Sequence, residues 1–194
     1  MTTRPPGPEV HTFTAIARCP DTGKLGIATA TRSLAVGARV PHVRERLGAV
    51  AIMAIADPRL GHTALKFLEM GYKAPGVIQE LVQADPQHEY RQLGVIDSDG
   101  FAAARTGMHN RDWAGHHVRD NFIALGNVLV GEYVLDAIEL GFNSLPDEPF
   151  EERLMLALEA GRDAGGQHGG QNSAALLVYD DKPFARRPSR RAGR

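Results

Sequence analysis

Apolar positions along this chain recur with two different periods, and the change from one to the other divides it into elements. Residues 12–18 (TFTAIAR) alternate loosely and are rich in β-formers, as are residues 24–31 (KLGIATAT). Pro20, Asp21, Thr22 and Gly23 supply turn chemistry between them, which predicts an antiparallel hairpin. A loop containing Gly37 and Pro41 then leads to an apolar strand over 48–56, ended by Asp57-Pro58. The period next becomes helical. Leu65, Leu68 and Tyr72 form one stripe, and Val77, Ile78, Leu81 and Val82 form a second after the break at 71–76. Residues 92–97 and 101–106 flank Ser98-Asp99-Gly100, whose Asp-Gly pair suits a tight hairpin. The polar stretch 107–126 carries His109, Trp113, His116 and His117 without sustained periodicity, so a long ordered loop with a short strand near Phe122 is expected. Residues 132–142 and 149–162 return to the 3.6-residue period. The glycine-rich AGGQHGGQ then leads to a last strand over 172–179.

Strands in this order are joined to one another rather than alternating singly with helices, which argues against a doubly wound parallel sheet. The expected class is α+β: two stacked, mainly antiparallel sheets with helix pairs outside. No internal repeat or second domain is visible. The reading is a disordered leader over 1–11, one domain over 12–181 and a disordered basic tail over 182–194.

Composition narrows the function classes. The chain has 194 residues, 43% of them hydrophobic and 23% charged, enough for a sizeable core. The run 47–56 is too short to cross a bilayer, and the first ten residues hold no apolar signal segment, so the cytoplasm is the expected compartment and no membrane partner is expected. One cysteine, Cys19, excludes an internal disulfide and suits a reducing compartment. Setting aside the six bases after Asp181 and the leader's Arg4 and Glu9, 15 basic and 22 acidic residues remain, a body charge of about −7. That is no nucleic-acid surface. The tail FARRPSRRAGR reads as a solvated end.

Among candidate chemistries, the eight histidines show no H-x-x-x-H or H-E-x-x-H spacing, so no metal site is expected. Gly165-Gly166-Gln167-His168-Gly169-Gly170 has the composition of a phosphate cradle, but a helix precedes it, a strand follows and the lysine is missing. It reads as a helix C-cap and close-packed turn, or as backbone lining an active site, and no cofactor is expected. Ser33, Ser98, Ser144 and Ser173 all lack a G-x-S-x-G elbow. Thr12, at the junction of the proline-rich leader and the first strand, reads on pattern alone as a strand threonine. As the first residue of a processed chain it would instead have its own α-amine, titrating near 7.7–8.0, as a local base. Thr14 lies two residues on, on the same face.

The order and spacing of several segments raise Thr12 above that reading. They are Thr12-Phe13-Thr14-Ala15-Ile16-Ala17-Arg18, Leu34-Ala35-Val36-Gly37-Ala38 with Val40-Pro41, Gly48-Ala49-Val50-Ala51, Arg91-Gln92-Leu93-Gly94-Val95, Thr106-Gly107, Trp113-Ala114-Gly115-His116, Gly126-Asn127 with Gly131, and Ser173-Ala174-Ala175-Leu176-Leu177-Val178. In them the chain resembles the bacterial domain of unknown function 1028 family, grouped with the N-terminal nucleophile (Ntn) hydrolase-like superfamily. The resemblance implies a four-layer αββα sandwich and an amide-cleaving plan. Carried over by position, Thr12 would be the nucleophile, Thr31, Arg32 and Ser33 its orienting neighbours, and Asn127 and Ser173 donors from loops. Ten residues, the last of them His11, separate Met1 from Thr12, so this plan needs cleavage between His11 and Thr12. Two functions follow as expectations: an amidohydrolase acting on a small C–N substrate through Thr12, or a scaffold that binds a small ligand or assembles without turnover. Homo-oligomerisation suits a stacked-sheet protein of this size, although no residue marks an interface.

Overall fold

Strands β1 (Thr12–Arg18) and β2 (Leu25–Thr31) pair in antiparallel register, their turn closed by Gly23 at φ 73°. They are the centre of a five-stranded sheet in the computed structural model, which describes Gly7 and residues 10–180. The readings for residues 1–6, 8–9 and 181–194 lie outside the described residues. The sheet continues on one side through β8 (Phe122–Asn127) to β7 (Gly115–Arg119), and on the other to β9 (Ser173–Tyr179). A second sheet has the order β3 (Pro41–Arg44), β4 (Gly48–Ala54), β5 (Arg91–Asp97) and β6 (Ala102–Thr106). Every pairing is antiparallel.

Two expectations need correction. The stretch 107–126 is not mainly loop: β7 and β8 form a hairpin across Asp120-Asn121, where Asn121 takes φ 59°, a left-handed conformation its short polar side chain tolerates. The connection before β4 also contains a strand, β3.

Helices α1 (Pro58–Glu69) and α2 (Ala74–Ala84) cover the second sheet, and α3 (Tyr133–Asn143) and α4 (Phe150–Asp163) cover the first. The result is the four-layer sandwich, α+β in class. Local chemistry sets the helix starts. Asp57 accepts from the Arg59 N–H at 3.0 Å ahead of Pro58, capping α1. Asp97, buried at the end of β5, accepts from Ala74 N at the start of α2 and from Asp99 and Phe101 in its own hairpin.

Alternation along β1 shows how the layers are made. Phe13, Ala15 and Ala17 enter the cluster beneath α3 and α4, while Ile16 enters the cluster between the sheets with Ile27, Leu125, Met53 and Ile96. Gly94 lets the sheets approach: a Cβ there would stand 2.8 Å from Ile16 Cδ1. Among the described residues the three apolar clusters draw none from ahead of Thr12, while the buried Val10 bonds through its N–H to Ala54 of the second sheet.

Candidate active site

Thr12 lies on the inter-sheet face at the start of β1. Its register partners are Thr31 on β2 and Asn127 on β8, and Thr31 in turn faces Ser173 on β9. Directly opposed residues of antiparallel strands share a face. Asn127, Thr12, Thr31 and Ser173 therefore form one row across four strands, and the first three are wholly buried. Thr14 and Thr29 form the next row inward, with their hydroxyls 2.7 Å apart.

The peptide bond ahead of Thr12 is held from two sides. Thr31 Oγ1 donates to the His11 carbonyl oxygen at 2.7 Å, and the Arg32 N–H donates to the same oxygen at 3.1 Å. Thr12 Oγ1 lies 3.2 Å from Thr31 Oγ1 and 3.2 Å from the Val10 carbonyl. Val10, 6% exposed, bonds through its N–H to Ala54 O, and His11 Nδ1 donates to His168 O at 3.0 Å. These contacts seal the hydroxyl. The space bordered by its neighbours Val10 and Thr31, with Ser33, Val36, Arg39 and Ala56 among others, measures only about 10 Å³.

The remaining sequence-nominated residues hold the rim. The Ser33 N–H donates to Thr31 Oγ1 at 3.3 Å. Ser173 Oγ donates to Ser33 O at 2.8 Å and accepts from Val36 N at 3.2 Å, so its hydroxyl pins the turn after β2. Arg32 is exposed and lies over Gly169, while its carbonyl accepts from Asn172 Nδ2. Gly165 and Gly166, at φ 104° and 57°, donate to Arg162 O and Gly161 O and so cap α4. His168 in the same loop reaches the site through His11.

Gln92 went unnoticed in the sequence except as part of a motif. It is fully buried on β5, and its Oε1 accepts from Asn127 Nδ2 at 3.0 Å, which joins the two sheets beside Thr12. Its Nε2 lies within hydrogen-bond reach of the carbonyls of Gly126 and Gly115 and of Thr106 Oγ1, which is itself bonded to His116 Nδ1. Burial, and then the neighbouring His117, hold the His116 pKa below its ordinary value. Asn127 Oδ1 is buried without a partner. The available signal was an uncharged polar residue beside the apolar run of a strand that begins with Arg91 and ends with Asp97.

Chemically, the site offers a hydroxyl with two fixed donors beside it and one orphaned acceptor. Among the described residues no three His, Cys, Asp or Glu side chains gather to hold a metal, and no helix is long and apolar enough to cross a membrane.

The fold has a solved counterpart. The crystal structure of protein SPO2555 from Silicibacter pomeroyi superposes with a TM-score of 0.82 at 36% identity, over 88% of this chain and 76% of that one. It is described there by the family model DUF1028. No curated protein matches the chain. The DUF1028 model, a family of unknown function, matches residues 12–190 and so begins at the threonine that heads β1; the chain belongs to that family.

Proposed function

We propose that the protein is an Ntn-type amidohydrolase whose nucleophile is Thr12, released by cleavage between His11 and Thr12. The observation that carries this reading is the double grip on the His11 carbonyl oxygen by the Thr31 hydroxyl and the Arg32 N–H. Once His11 leaves, both donors lose their acceptor and stand ready for the oxygen of an incoming amide as negative charge develops on it. The new α-amine of Thr12 takes the hydroxyl proton as Oγ1 attacks the carbonyl carbon. The C–N bond breaks, the proton passes to the departing amine, and the acyl group remains as an ester on Thr12. Water then hydrolyses the ester to the acid and restores the hydroxyl. Asn127 Oδ1, an unpaired acceptor on the strand that pairs with Thr12, is suited to orient the freed amine.

The second reading, a binding scaffold without turnover, is favoured by the same seal seen from outside: with Val10 and His11 in place, Thr12 is fully buried. Intact mass of the purified protein separates the two. The hydrolase reading expects a species lacking the first 11 residues, with amide hydrolysis in that species. Finding only full-length or Met1-free chains, and no hydrolysis by a chain that starts at Thr12, would leave the scaffold reading standing.

A further inference from the structure

A second cavity of about 260 Å³ lies next to the sealed space, lined by Gly7, Arg39, Ile55, Asp57, Arg59 and Arg91 among others. Arg39 and Ala56 line both spaces, so the two are adjacent. Of the leader, Gly7 borders the outer cavity and Val10 the inner one.

Three arginines border the outer cavity, and two are committed. Arg91 pairs with Asp85 at 2.8 Å and also donates to Gln87 Oε1 and Ile55 O. Arg59 grips both carboxylate oxygens of Asp57. Among the described residues the half-buried Arg39 side chain has no ion pair or hydrogen bond, which leaves one uncompensated guanidinium bordering the same inner space as Thr31, the register partner of Thr12.

Resting on the hydrolase reading, we infer that the acyl part of the substrate ends in a carboxylate held by Arg39. Three described positions of the leader set the direction: the His11 carbonyl occupies the donors, Val10 borders the inner space and Gly7 the outer one, and Arg39 lines both spaces. An acyl chain on Thr12 extends toward Arg39 once the leader is gone. A guanidinium there is matched by a planar carboxylate, which it can bind through two parallel hydrogen bonds.

The test uses the chain beginning at Thr12, obtained by encoding methionine directly before it so that methionine removal exposes the threonine. That chain retains every element and all three apolar clusters. Hydrolysis of glutaryl p-nitroanilide is compared with its uncharged 4-carbamoylbutanoyl counterpart, and glutarate binding is measured by calorimetry. The expected kcat/KM ratio favours the carboxylate by about ten-fold or more, falls to about two-fold or less in Arg39→Gln, and recovers in part in Arg39→Lys; glutarate affinity falls about ten-fold in Arg39→Gln. Equal hydrolysis of both anilides overturns the carboxylate assignment and leaves the hydrolase reading intact. Glutarate binding that depends on Arg39, without hydrolysis of either anilide, supports the anion site and overturns the hydrolase reading. Glutarate binding that is absent or indifferent to Arg39 overturns the inference.

Discussion

Asn127 on one sheet donates its side-chain amide to Gln92 on the other across 3.0 Å, so the sheets are joined by a polar contact beside Thr12. Gln92→Met keeps the volume and removes every partner of that contact. The carbonyls of Gly115 and Gly126 and the Asn127 amide then lose bonds in a buried place, where an unpaired group costs about 1–3 kcal/mol. Urea unfolding of this variant is expected to show a loss of at least about 2 kcal/mol. An unchanged midpoint would mean that the contact contributes nothing.

Thr31→Val tests the donor beside the nucleophile. Valine preserves the shape and deletes the hydroxyl that reaches the His11 oxygen at 2.7 Å. In the chain beginning at Thr12 the expected loss in kcat is about 10²–10³-fold, the usual effect of deleting one oxyanion donor, with a stability change near 1 kcal/mol. A loss in melting temperature that accounts for the whole fall in activity would assign Thr31 a structural role only.

Thr12→Ala in the same shortened chain is expected to abolish amide hydrolysis and leave circular dichroism unchanged, because the Thr12 hydroxyl anchors no apolar cluster. Thr12→Ser, which keeps the hydroxyl and the α-amine, is expected to retain measurable turnover. Activity surviving in the alanine variant would move the nucleophile elsewhere.

Stability should fall on mild acidification. His42 is held below its ordinary pKa of 6.5 by burial first and His62 second, and its Nε2 is buried without a partner. Above pH 6.5 both folded and unfolded states carry the neutral ring. Below it the unfolded state takes up the proton first, so stability drops as pH falls from 6.5 toward the lower folded-state pKa and then levels off. His116 shifts in the same direction. His42→Leu is expected to flatten part of the melting temperature against pH curve, and an NMR titration of His42 below 6.5 checks the site directly.

Gly61 on α1 lies against that ring: an added Cβ would stand 2.2 Å from it. Gly61→Ala is therefore expected to cost about 1–3 kcal/mol by overpacking. Calorimetric unfolding of the variant checks this, and an undiminished melting temperature would show that the ring moves aside freely.

The layered plan was legible because its signals are local. Helical stripes such as Leu65-Leu68 and the Asp99-Gly100 turn declare themselves within a few residues, and α3 and α4 begin and end within a residue of their expected limits. The two missed strands are edge strands. Gly115–Arg119 is polar and half exposed on both faces, so it has no alternation to read, and Pro41–Arg44 is only four residues long and begins with proline. The candidate site was legible only in part for a different reason. Thr12, Thr31 and Ser173 could be nominated, but their shared row depends on the registers of three strand pairings, which no local spacing encodes. Gln92 was invisible because its partners come from residues 14 to 35 positions away.

That row has a consequence for how the gene can change. Side chains on a strand alternate between layers, so inserting or deleting one codon near the start of β1 would turn Thr12 toward α4 and carry Phe13 into the polar row. The cavity and the apolar packing would be spoiled in the same event. Drift in this part of the chain is thus confined to exchanging one amino acid for another, and length variation has to be absorbed ahead of Val10 or in the outer turns.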